Sequence, residues 1–158
     1  LQIKDSYYKS TEKLLYNYNM LKVSIENMNA EIRELESESG VTSIDYESEK
    51  IAPTNKIGNP TEEVAIKNIT SIDLLKKRIE KTQDKIDKMD RAIEKLSESE
   101  KQIITMRYID GKQWFEIAYE ANYNERWCKE LRKRAIKKLT IGVYGYTALI
   151  EHQFIENI

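Results

Sequence analysis

A chain of 158 residues, 34% charged and 40% hydrophobic with five Gly and two Pro, suits solvated helices better than a sheet-rich globule. A formal net charge of -1 argues against nucleic-acid binding only as an average, because the charge is unevenly placed. A single cysteine (Cys128) and a single histidine (His152) exclude an intrachain disulfide, a thiolate metal cage and a His-based metal cluster, so no cofactor and no metal is expected.

No apolar run approaches the roughly 18 residues that cross a bilayer, and the first residues lack the apolar core of a signal peptide. The expectation is a soluble, cytoplasmic protein with no membrane partner.

The first element is a heptad helix. Leu14, Tyr18, Leu21, Ile25, Met28, Ile32 and Leu35 alternate four and three residues apart, which draws one narrow apolar stripe along a helix that Gly40 ends. Residues 39–61 have no period and contain Gly40, Pro53, Gly58 and Pro60, so a long loop is expected. Thr61, Glu62 and Glu63 then read as a helix start, with acids where the macrodipole favours them. A second heptad stripe follows: Ile72, Leu75, Ile79, Thr82, Ile86, Met89, Ile93 and Leu96, with Thr82 its weak position. Two such helices fold back as an antiparallel hairpin or pair with a second molecule; periodicity alone does not choose. A homo-oligomer built through these helices or through the apolar end of the chain is expected.

Ser97 and Glu100 form a capping box that starts the next helix, carrying Ile103, Ile104, Met106 and Tyr108 up to Gly111. A short helix over 113–121 shows Trp114, Ile117, Ala118 and Ala121 on one face. The turn Asn122-Tyr123-Asn124 leads into a basic helix over 125–139, with Asn124 as its cap and Asn122 able to take a left-handed backbone. Three helices with a three-residue turn between the last two is the pattern of a helix-turn-helix unit.

From Glu125 to Lys138 there are seven basic residues (Arg126, Lys129, Arg132, Lys133, Arg134, Lys137, Lys138) against two acids, Glu125 and Glu130. Helical projection puts Cys128, Leu131, Ala135 and Leu139 on a buried stripe and Arg126, Glu130, Lys133 and Lys137 opposite, flanked by Lys129 and Arg134. Such a helix packs with one side and offers cations with the other, as a helix in a major groove must. Trp127 either packs beside the stripe or covers a base or phosphate; Trp114 and Tyr108 read as core, and Cys128 as structural. The segment 141–158 is too apolar to stand free in water, and His152 within it has no partner in the sequence.

The run Leu96-Ser97, Glu100, Ile103-Ile104, Met106-Arg107-Tyr108, Gly111, Glu116-Ile117-Ala118 and Arg134 through Leu139 resembles the fourth conserved region of bacterial sigma factors, over residues 96–139. Gln113, Ala121, Asn122 and Trp127 depart from that pattern. A heptad half followed by such a module is similar in layout to phage late-gene regulators of the ArpU and RinA type. The resemblance implies promoter recognition by the last helix and admits contact with RNA polymerase. Carried over, Arg126, Lys129, Glu130 and Lys133 face bases and phosphates; Asn124, Glu125, Trp127, Arg134 and Lys137 complete the expected DNA-binding set.

The expected architecture is therefore all-α: a helical hairpin over 1–96, a sigma region 4-like helix-turn-helix domain over 97–140 and an apolar tail over 141–158. The expected function is sequence-specific binding of double-stranded DNA by a transcription regulator of phage or prophage type. The alternative is a phage DNA-packaging recognition or assembly protein, like a small terminase subunit; a coiled-coil protein that never touches DNA is a third reading. No phosphate loop, metal cluster or nucleophile arrangement occurs, so catalysis is not expected and no catalytic residue is named.

Overall fold

The computed structural model describes residues 2–38 and 60–150. Among them the fold is all-α: α1 (Asp5–Tyr16), α2 (Tyr18–Glu38), α3 (Pro60–Glu94), α4 (Glu98–Ile104), α5 (Trp114–Ala121) and α6 (Glu125–Tyr144). The loop expected over 39–61 lies outside the described residues, except that its last two positions already belong to α3. Pro60 opens that helix, where its missing N–H costs nothing. No helix among the described residues is long and apolar enough to cross a membrane.

The chain forms two compact units. One is Val23–Gln83, built from α2 and α3. In it Ile32, Ile72 and Leu75 are buried together, with Met28, Leu35 and Ile79 packed against them, all of them heptad positions. Val23, Val64, Ile66, Ile69 and Leu74 lie off the stripes and stay exposed.

The other unit joins the residues up to Lys22 with those from Asp84 on. It cuts across the segments expected from sequence, because α1 belongs with α4, α5 and α6 rather than with the heptad helices alone. The reason is direct packing. Thr11 and Thr140, both fully buried, meet in a 2.9 Å hydroxyl hydrogen bond between α1 and α6. α1 is also separate from α2. At Asn17 the backbone leaves helical geometry, with its amide and its side-chain amide both donating to the Lys13 carbonyl at 3.1 and 2.8 Å, and the stripe that begins at Leu14 crosses this break.

The second stripe continues into this unit, where Ile86, Met89, Ile93 and Leu96 are all buried. The Tyr18 hydroxyl donates to the Asp90 carboxylate from α2 to α3. α3 and α6 come very close at Gly142: a Cβ there would stand 2.8 Å from that of Ala92.

Two boundaries differ from the sequence reading. α4 gives way to a wide π-type turn over Thr105–Ile109, in which the Asp110 amide reaches back five residues to Thr105, and Gly111 follows at φ +71°. α6 runs on to Tyr144, five residues beyond its expected end, because Thr140 and its neighbours find a packed partner in α1. The expected tail is therefore partly helix. A short 3-10 turn at Gly145–Ala148 follows, and the chain then runs antiparallel to the first residues. The Lys4 amide donates to the Ala148 carbonyl at 2.9 Å and the Ile150 amide to the Gln2 carbonyl at 3.2 Å. The rest of the tail, His152 included, lies outside the described residues.

Candidate nucleic-acid interface

Two short helices and the inner side of α6 make the local core. Ile103 of α4, Ile117 of α5, and Cys128 and Leu131 of α6 are buried together, with Met106, Trp114, Ala118 and Ala121 around them. At each helix start a side chain satisfies a free amide. Glu100 accepts from the Ser97 amide at 3.1 Å, Glu116 from the Gln113 amide at 2.7 Å and Asn124 from the Trp127 amide at 2.8 Å. Between α5 and α6, Asn122 takes the left-handed conformation at φ +54°, tolerable for an Asn and strained for most residues. These devices set the angle at which α6 leaves the turn.

On α6 the stripe Cys128, Leu131, Ala135 and Leu139 is buried. Ile136 and Thr140 are buried as well, so the covered side is wider than projection indicated: α1 packs on a second flank. Burial pushes the Cys128 thiol above the usual cysteine range, which keeps it protonated and unreactive.

The opposite side is open. Asn124, Glu125, Arg126, Lys129, Lys133, Arg134 and Lys137 are exposed and Glu130 is half-buried. Lys129 pairs with Glu125 at 3.3 Å and Lys133 with Glu130 at 3.2 Å, both along the surface of the helix. Exposed pairs of this kind are worth a few tenths of a kcal/mol, roughly 0.3–0.5, and yield readily to a stronger anion. Arg126 and Lys137 have no ion-pair partner among the described residues. Trp127 is 38% exposed, with the Arg134 guanidinium 4.9 Å from its ring centroid, so it lies at the surface rather than in the core.

Two of the seven cations are held by carboxylates from other helices, Arg132 mostly buried and Lys138 still exposed. Arg132 donates to Glu12 of α1 at 3.1 Å, and the same carboxylate oxygen accepts from the Tyr108 hydroxyl at 3.2 Å. Burial pushes the Tyr108 phenol above the usual tyrosine range, against the pull of Arg132. Lys138 donates to the buried Glu100 at 2.8 Å. Burial alone would raise the Glu100 carboxyl. Lys138, with the Ser97 amide and hydroxyl, outweighs it and holds the group below the ordinary carboxylate range. Both cations are structural pins, invisible in projection because their partners lie far away in the chain.

Trp114 reinforces the arrangement. It is half-buried, and Arg107, Lys129 and Arg132 stand 5.0, 5.7 and 5.9 Å from its ring centroid. An open concavity lies beside it, lined by Glu125, Arg126, Lys129, Glu130, Arg132 and Lys133. On its other edge the exposed face meets the start of α1, where Asp5 and Tyr8 share a groove with Lys133 and Lys137. Sequence reasoning missed this border, since nothing local to α6 announces it.

Among the described residues no group of three His, Cys, Asp or Glu side chains could hold a metal. No curated protein and no solved structure matches the chain. A family model does, over residues 7–140, from α1 to the buried Thr140. The chain thus belongs to the DUF722 family, described as proteins of unknown function.

Proposed function

We propose that this protein binds duplex DNA with the exposed face of α6 lying in the major groove, as a transcription regulator of phage or prophage type. The turn between α5 and α6 and the resemblance of residues 96–139 to the fourth region of sigma factors support reading the unit as a helix-turn-helix. One observation carries the reading: α6 is fully buried along Cys128, Ala135 and Leu139 and open along Arg126, Lys129, Lys133 and Lys137. A solvated surface helix has no need to concentrate cations on one side. A helix that meets phosphates while its back is held by a core does.

Asn124, Glu125, Arg126 and Trp127 form the first turn, the part of such a helix that reaches base edges. Lys129, Glu130, Lys133, Arg134 and Lys137 flank it toward the phosphates. Contact with RNA polymerase belongs to the same proposal, through the sigma-like resemblance alone. Mixed-sequence and upstream genomic duplexes, titrated by fluorescence anisotropy across a range of salt, test the reading. With about four phosphate contacts the affinity falls with a log–log slope of roughly -3.6, whereas salt-insensitive binding or none sinks it.

A second reading, a phage DNA-packaging recognition or assembly protein using the same α6, is favoured by the apolar side chains left exposed in the Val23–Gln83 unit: Val23, Val64, Ile66, Ile69 and Leu74. Light scattering separates the two. Ring-sized oligomers support packaging; a monomer or dimer that stimulates purified polymerase supports regulation.

A further inference from the structure

A second basic surface lies beside the first, on residues that the sequence reading left out of the DNA-binding set. Lys88, Arg91 and Lys95, along and just beyond the last turns of α3, converge with Lys138 of α6 around a groove of about 500 Å³. Ala92, Leu96 and Gly142 complete its lining, and the lining holds no carboxylate. All seven residues belong to the same compact unit.

The close approach at Gly142 creates the convergence. With no Cβ on that residue, α3 and α6 draw together at Ala92, and the long side chains on either side of the crossing rise from two helices around one trough. Cations at a helix end complement its dipole, which accounts for Arg91 and Lys95. It accounts neither for Lys88, farther back on α3, nor for Lys138, which arrives from another helix. Lys88 is paired with Asp84 at 2.7 Å and Lys138 with Glu100 at 2.8 Å. Arg91 and Lys95 are exposed and have no ion-pair partner among the described residues, so they carry the uncompensated charge.

The groove shares no lining residue with the concavities on the exposed face of α6, and one flank of the helix links the two. Arg134, Lys138 and Gly142 recur every four residues and therefore share one flank of the helix, and Arg134 lies over Trp127 near its start. From Arg126 to Lys138 the helix rises about 18 Å, half as much again as the ~12 Å width of a major groove. A helix whose first turns sit in that groove brings its later turns, and whatever is packed on their flank, against the sugar–phosphate wall.

We infer that the Lys88–Arg91–Lys95–Lys138 groove is a second phosphate-binding site, which clamps the DNA backbone next to the segment that α6 enters. The ligand is the phosphodiester chain, so the site adds affinity and orientation without reading sequence. The inference rests on the proposed α6 interface and extends it to α3.

The test uses the full chain and a fluorescein-labelled mixed-sequence duplex of about 30 base pairs, titrated with NaCl. In the double variant R91Q/K95Q the log–log salt slope becomes shallower by about 1.8 and low-salt affinity drops roughly tenfold. Its melting temperature falls only slightly, since both side chains are exposed and only their favourable interaction with the α3 dipole is lost. A parallel variant, K133Q/K137Q, probes the α6 face alone. If R91Q/K95Q keeps the wild-type slope while K133Q/K137Q loses its own share, the groove is idle or seats an acidic protein, and the inference fails with the α6 reading intact. If the wild type binds no duplex, both fall together.

Discussion

Glu12 and Arg132 face each other at 3.1 Å across 120 residues of sequence, and this pair ties the first helix to the one that carries the cationic face. The guanidinium is mostly buried, and its Nε has no hydrogen-bond partner among the described residues. Removing the carboxylate leaves a shielded cation without its anion and the Tyr108 hydroxyl without its acceptor. Glu12→Ala lowers unfolding free energy by about 1–3 kcal/mol, read by urea denaturation. An unchanged midpoint would show that the pin holds nothing.

Gly142 gives a sharper packing test. Ala in place of Gly within a helix ordinarily gains about 1 kcal/mol. Here the added methyl would sit 2.8 Å from the Ala92 Cβ, so Gly142→Ala destabilises by about 1–2 kcal/mol despite its better propensity. Ala92→Gly in the same chain relieves the clash and recovers part of the loss. A double variant no more stable than G142A contradicts this account.

The acid limb of stability reports on Glu100. Its folded-state pKa is depressed, so the contribution is fully present above the unfolded carboxyl value, near ~4.3, and is lost as pH falls through the lower folded value. Melting temperatures between neutral pH and the acid range should therefore decline through that window. Glu100→Gln flattens the decline while lowering the neutral-pH value. Parallel curves for the two proteins would assign the acid sensitivity elsewhere.

On the proposed interface, Lys133→Gln weakens binding to every duplex alike and reduces the salt slope by about 0.9. Arg126→Ala, in the first turn, costs about 1–3 kcal/mol on a preferred site and relaxes discrimination at one base position. A binding-site selection performed on both variants separates these behaviours. Equal loss of specificity in both would remove Arg126 from base reading.

Much of this architecture is legible in the residues because the causes are local. Ser97 with Glu100, Asn122 at the left-handed position and Asn124 as cap are decided within four positions of chain, and all are found as their chemistry demands. The apolar stripes of α2, α3 and α6 follow from period alone. What escaped has distant causes. Arg132 and Lys138 look like two more members of a basic face until Glu12 and Glu100 arrive from α1 and α4. Ile136 and Thr140 lie off the projected stripe and are buried all the same, Thr140 against Thr11 of α1. Gly142 falls in a stretch that reads as tail, and its packing role exists only against Ala92.

The bond from Thr11 to Thr140 also has a temporal side. A ribosome releases α1 long before it has made α6, so that helix waits, with its inner face uncovered, for a companion translated more than a hundred codons later. Closure of this unit is consequently a late, long-range event, slow by the standards of helical proteins whose neighbours in space are neighbours in order of synthesis. Excising 97–140 as a stand-alone fragment would expose the very hydroxyl and aliphatic groups that α1 was holding dry.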